Sequence, residues 1–150
     1  MRKLSYLVVT LAVLASIVGL ACGPDTSLGL VDHKTITGVQ EGTTYTILIY
    51  RSDEEGAPAL YVKDQSLLDR VSTEEADLVI DDALALDIEG MYEQVTYTVN
   101  MGTNLATGPG TEPYKVSREI FNQLQPGAVV QFEAKKGGDF PTITKILDSR

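Results

Sequence analysis

Beyond its first 34 residues the chain alternates apolar and polar positions with a period of two. From Gln94 to Met101, residues Val95, Tyr97, Val99 and Met101 share one face, opposed by Gln94, Thr96, Thr98 and Asn100. This is the pattern of a half-buried antiparallel strand. Thr43 to Arg51 alternates likewise, with Tyr45, Ile47 and Ile49 against Thr44, Thr46, Leu48 and Tyr50; both faces are apolar enough to be covered. Leu84, Leu86 and Ile88 alternate with Ala85, Asp87 and Glu89, and Ala128, Val130 and Phe132 with Val129 and Gln131, which predicts two more short strands. Turn chemistry separates these runs at Gln40 to Thr43, Asp53 to Pro58, Gly108 to Pro113 and Lys135 to Pro141.

Two stretches carry a helical spacing instead. Ser117 is placed to cap REIFNQLQ, whose Ile120, Phe121 and Leu124 form an i, i+1, i+4 face, and Pro126 with Gly127 ends it. Asp64 precedes QSLLDRV, with Leu67, Leu68 and Val71 at the same spacing. Each is one or two turns long and needs a sheet to pack on.

The order of these elements repeats. ITGVQEGTTYTI from Ile36 aligns with IEGMYEQVTYTV from Ile88; further on Tyr61 corresponds to Tyr114, and Leu67, Leu68 and Val71 to Ile120, Phe121 and Leu124. The expected fold is mainly β: small SH3-like or OB-like barrel units with one short helix each, in tandem over 35–87 and 88–150. A single β domain over 35–150 is the alternative. A unit of 50 to 60 residues is marginal alone, so two copies should share a core or an interface.

The beginning of the chain has a different character. MRKLSYLVVTLAVLASIVGLAC opens with Arg2 and Lys3, continues with an apolar run from Leu4, and ends with the small residues Gly19 and Ala21 before Cys22. Residues 1–21 read as a secretory signal. Cys22, the only cysteine in the chain, falls at the end of that run. The segment resembles the signal peptide and lipobox of bacterial lipoproteins, Ala21 and Cys22 matching its last two positions. That resemblance implies acylation of Cys22 and a membrane anchor. Gly19 and Ala21 also satisfy the small-x-small rule for ordinary cleavage, and the run from Leu4 to Cys22 just reaches the length of a span. All three readings place the rest of the chain outside the cytoplasm. Residues 22–34, with Gly23, Pro24 and Gly29, read as a flexible tether containing the only histidine, His33.

Composition then limits the chemistry. The chain has 150 residues and a formal net charge of -9. From Cys22 to Gly90 there are 15 acidic and 4 basic residues, a net of -11, whereas Met91 to Arg150 is neutral. An acidic surface argues against nucleic acid as partner, since phosphate binding requires a basic groove. One Cys and one His exclude a disulfide framework and most triad or zinc arrangements. No nucleophile elbow, H-E-x-x-H, Walker A or G-x-G-x-x-G motif occurs. The carboxylates Asp53, Glu54 and Glu55, then Glu74, Glu75, Asp77, Asp81, Asp82, Asp87 and Glu89, follow no calcium-loop spacing and read as a solvated face.

The expectation is therefore a lipid-anchored envelope protein with a non-enzymatic binding or structural role, without catalytic residues, metal ligands or cofactor. A soluble periplasmic or secreted protein binding a small ligand or Ca²⁺ is the second reading. A carboxylate-based hydrolase is the third, although no Trp is available to stack on sugar in a catalytic cleft. Partners are expected in the membrane, through the N-terminal lipid, and in an envelope protein or a glycan. Tyr45, Tyr61, Tyr97 and Tyr114 occupy matched positions and are assigned to the core; Tyr50, Arg51 and Tyr92 are the candidate ligand contacts. The Gly- and Pro-containing loop from Gly102 to Pro113 is the expected irregular binding element.

Overall fold

The alternation becomes a sheet. The computed structural model describes residues 25–52, 57–67, 70–71, 78–103 and 110–150. Cys22, the signal segment, the acidic residues 53–55, 74, 75 and 77, and loop residues 104–109 lie outside the described residues. The described part is mainly β: β1 (Asp25–Gln40), β2 (Thr43–Ser52), β3 (Pro58–Val62), β4 (Gln94–Gly102), β5 (Glu112–Val116), β6 (Val129–Lys135) and β7 (Thr142–Ser149). Two helices, α1 (Asp82–Met91) and α2 (Arg118–Gln123), and a 3-10 turn at Gln65–Leu67 complete it.

All seven strands belong to one sheet in the order β3-β2-β1-β4-β5-β7-β6, with β1 also paired to β6. β1 makes this possible by changing partner along its length. Asp25–Leu30 pairs with β6 and His33–Gln40 with β2, while Leu30–Val39 pairs with β4. The register on β4 slips between Val31 and His33, so Asp32 is an extra residue that bends the strand where the partner changes. Strands β1, β4, β5, β7 and β6 thereby form a ring, and β2 with β3 extends it as a flap. The ring's pairs are antiparallel except β5 with β7, which touch in parallel at Lys115 and Thr142.

Residues 25–34, expected as tether, are strand. Ser27, Gly29 and Val31 point inward, Gly29 approaching Met101 and Phe132, whereas Leu28 and Leu30 point out at 52% and 36% exposure. The inward set is small and the outward set apolar, the reverse of the usual cue. The pairing partners on β6 lie about a hundred residues away in sequence, so no local period announces the strand.

A second difference concerns Leu84 to Ile88, which forms α1 rather than a strand. Asp81 caps it, its carboxylate accepting from the Leu84 N–H at 2.8 Å. Leu84, Ala85 and Ile88 are buried at helical spacing while Leu86 is 69% exposed. The aligned segments therefore differ: Ile36–Gln40 is strand and Ile88–Met91 is helix. Of the helix expected after Asp64, Gln65–Leu67 forms a 3-10 turn, the Asp64 carboxylate accepting from the Ser66 N–H and hydroxyl, and Leu68 lies outside the described residues. The β1–β2 connection is a two-residue turn in which Glu41 and Gly42 both take positive φ, 51° and 74°. That matches the type I′ hairpin, whose twist suits the strands it joins. A bulge at Ile47 rotates β2 so that Ile47, Leu48 and Tyr50 are all buried.

The ring interior is filled. Val31, Val99, Met101, Val130, Phe132 and Ile143 are at most 1% exposed, and α2 contributes Phe121, followed by Leu124, both fully buried. Ring contacts lock this packing edge-on, Tyr97 with Phe121 at 5.4 Å and Tyr114 with Phe132 at 5.2 Å. Leu67, Leu78, Ile80, Leu84 and Ile88 join the same cluster, together with Leu48 and Tyr50 of β2.

Helix α2 also grips the lead-in to α1. Asn122 accepts from the Ile80 N–H at 2.9 Å and donates to the Ile80 carbonyl at 3.0 Å. Arg118 pairs with Asp82 and donates to the Asp81 carbonyl. Ser117 caps α2 as its sequence predicts, accepting from the Ile120 N–H at 3.3 Å.

Candidate functional site

The three residues singled out as ligand contacts do not converge. Tyr50 is 3% exposed and faces the core, which removes it from any contact surface. Arg51, next along β2, faces outward; its guanidinium lies 4.8 Å above the Tyr61 ring and donates to the Tyr61 hydroxyl at 3.3 Å. Tyr92 ends α1 and lies flat on β1, where a Cβ at Gly38 would come within 2.5 Å of its ring. Tyr50 pairs opposite Lys34, and Gly38 is four residues further along β1, about 13 Å. Arg51 pairs opposite His33, five residues along β1 from Gly38, so Arg51 and Tyr92 lie apart on the sheet.

Tyr92 ties elements together. Its hydroxyl donates to Asp64 Oδ2 at 2.8 Å. Hydrogen bonds from the Ser66 side chain and then from Tyr92 hold the Asp64 carboxyl below its usual range. Burial first, and Asp64 second, push the Tyr92 phenol up to about 12. Of the matched tyrosines assigned to the core, Tyr114 is 6% exposed, but Tyr45 and Tyr61 are 46% and 41% exposed. The β1–β2 hairpin carries Tyr45 beyond the ring, and Tyr61 lies on the outer face of the flap under Arg51.

Lys34 is fully buried inside this structure. Its Nζ donates to the Phe121 carbonyl at 2.8 Å and lies 3.5 Å from the Leu78 carbonyl, with the Phe121 ring centroid at 4.5 Å and that of Tyr50 at 5.4 Å. The Phe121 carbonyl is among the last of α2, which have no partner within the helix and attract a cation. Lys34 is a structural clasp between β1, α2 and the segment before α1.

Among the described residues, one surface concavity lies where the ring closes. β5 and β7 pair only at Lys115 and Thr142, next to the start of β5 and the β6–β7 loop. These segments, with Ser27 and Ala134, line a cleft of about 340 Å³ through Glu112, Tyr114 and residues 136–141. This is near the lower end of the range for small-molecule sites, about 300–1,000 Å³. Tyr114 forms part of the lining and donates to Glu112 Oε2 at 3.0 Å. Burial, then the Glu112 hydrogen bond, push its phenol up to about 12, so it remains a neutral hydroxyl at ordinary pH. Phe140, 38% exposed, stands on the rim with Lys136 and Asp139.

In the sequence, Tyr114 reads as a packing residue and Lys135–Pro141 as a turn. The one available signal was an aromatic side chain in a glycine-bearing, charged turn. Glu112 and Pro113, from the loop expected to bind, are in β5. His33 contacts Asp32 at 2.6 Å on β1 and is remote from the cleft in sequence register. Among the described residues, no group of three or more His, Cys, Asp or Glu side chains is placed to hold a metal ion, and no helix is long and apolar enough to cross a membrane. Comparison of the chain with protein-family models, curated proteins and solved structures gives no match.

Proposed function

We propose that this chain is an exported, lipid-anchored binding module of the cell envelope, built on one OB-type barrel with an insertion between its first two ring strands. The observation that carries the binding reading is the cleft beside a filled ring: Phe132, Val130, Val99 and Met101 occupy the interior, so a ligand is taken at the surface. Two observations support the OB-type reading over tandem units. The ring runs β1-β4-β5-β7-β6 with a helix between β5 and β6, a five-stranded, partly open barrel whose third and last strands meet in parallel. Strands β2 and β3, which fall within the first expected unit of 35–87, supply a flap, and α1, which spans the expected boundary, packs on that barrel.

The anchor reading rests on Cys22 at the end of the apolar run. Gly23 and Pro24 alone separate it from β1, so acylation holds the barrel within about 10 Å of the bilayer. The acidic surface and the cleft's two carboxylates against one lysine favour a ligand other than nucleic acid. The reading assigns no catalysis.

Detergent phase separation tests the anchor. Wild type should enter the detergent phase and Cys22→Ser should move to the aqueous phase. Aqueous wild type would defeat the anchor and leave a soluble exported binding protein, as the Gly19-Ala21 cleavage rule allows.

A further inference from the structure

The cleft's lining narrows its ligand. We propose that it binds an uncharged saccharide, with Phe140 as the stacking platform and Glu112, Tyr114, Lys136 and Asp139 as hydrogen-bond partners for sugar hydroxyls. The inference rests on reading the domain as a binding module, and it deepens that reading by naming the ligand class.

The same lining bears differently on each alternative class. A phosphate or carboxylate ligand faces Glu112 and Asp139, two like charges against the single Lys136. An organic cation gains from those carboxylates and from Phe140, is opposed by Lys136 alone, and is therefore the nearest competitor, which spermidine represents in the test. A wholly apolar ligand would desolvate Glu112, Asp139 and Lys136 without replacing their hydrogen bonds, which costs several kcal/mol. Among the described residues the carboxylates do not gather into a metal site.

A saccharide satisfies the set as it stands. Its hydroxyls both donate and accept, so they can serve the carboxylates of Glu112 and Asp139, the ammonium of Lys136 and the Ser27 hydroxyl together. Its C–H face suits the exposed ring of Phe140. Tyr114 contributes a hydroxyl already oriented by Glu112, so little ordering is needed on binding. Gly137 and Gly138 have only open space within 4 Å of where a Cβ would stand, which leaves the rim open to a chain longer than one sugar.

The test uses the full chain, purified in a detergent without a sugar headgroup. Chitotetraose and maltotetraose are titrated while backbone amide resonances are followed, with inorganic phosphate and spermidine as charged comparators. At least one saccharide should shift the resonances of Glu112, residues 136–140 and Ser27. Phe140→Ala should weaken that binding at least tenfold with its unfolding midpoint unchanged, because that side chain stands on the rim, and Glu112→Gln should weaken it roughly threefold. Saccharide binding indifferent to Phe140→Ala overturns the assignment. So do unmoved cleft resonances with both saccharides. If phosphate or spermidine shifts the cleft and the saccharides do not, the saccharide assignment fails while the binding module stands. If no probe shifts it and in situ crosslinking from position 140 captures nothing, the module reading fails with it.

Discussion

Lys34 shows how one residue can hold three elements. Its ammonium is removed from water, and such a group persists in a core only where carbonyls and ring faces replace the lost hydration. Lys34→Met keeps the volume but leaves the Phe121 carbonyl without that donor, so stability should fall by about 1–3 kcal/mol in urea denaturation. An unchanged midpoint would show that the clasp contributes nothing net, as some buried charges do. The tyrosines make a second residue-scale prediction. Tyr92 and Tyr114 have phenols pushed up to about 12, whereas an unfolded tyrosine titrates near pH 10. The folded state therefore prefers the protonated phenol. The stability contributed is complete below about pH 10 and is lost as pH rises through about 12. Tyrosinate absorbance should show a late wave near pH 12 that accompanies unfolding; complete ionisation near pH 10 in the folded chain would contradict it.

At the scale of elements, short helices survive because the sheet and the polar clamps retain them. α2 spans six residues, far too few to persist in water alone, yet its start at Ser117 and its Phe121–Leu124 face were legible because cap, spacing and Pro-Gly stop agree. Its clamp on Ile80 was not legible: Asn122 reads as an ordinary surface amide, and its partner is 42 residues away. Asn122→Ala should cost about 1–3 kcal/mol, since two partly buried backbone groups lose their partners. Hydrogen exchange of the Ile80 amide should accelerate with it, a readout that general loosening of α2 alone would not single out. α1 was misread for a related reason. Leu84, Leu86 and Ile88 fit a period of two, but Leu84 and Ile88 also fit i, i+4, and a run this short cannot separate the two without the Asp81 cap. Of the cleft, the residue types were visible and their convergence was not. Glu112 and Phe140 stand on separate strands and loops, joined through the parallel β5–β7 contact.

For the whole molecule, the long strand β1 organises everything else. It pairs with β2, β4 and β6, so the ring cannot close without its first half. A chain lacking residues 1–34 should lose cooperative unfolding and native near-ultraviolet dichroism, because β6 would lack its β1 neighbour and Lys34 would be gone. A cooperative transition in that truncation would restore the tether reading of residues 25–34. The mainly β character, the strand faces of β4 and β6, the α2 cap and stop, and the acidic first half are all legible along the chain. Those properties follow from side-chain period, local backbone chemistry and composition, all of which act over a few residues. Tertiary structure alone decided that Asp25–Lys34 is strand, that Tyr50 and Lys34 are buried while Tyr45 and Tyr61 are exposed, and that Glu112, Tyr114 and Phe140 share a cleft. These depend on which strand edges pair and where bulges at Asp32 and Ile47 redirect side chains. Hydrogen bonding between distant backbones makes that choice, and it leaves no periodic mark on the chain.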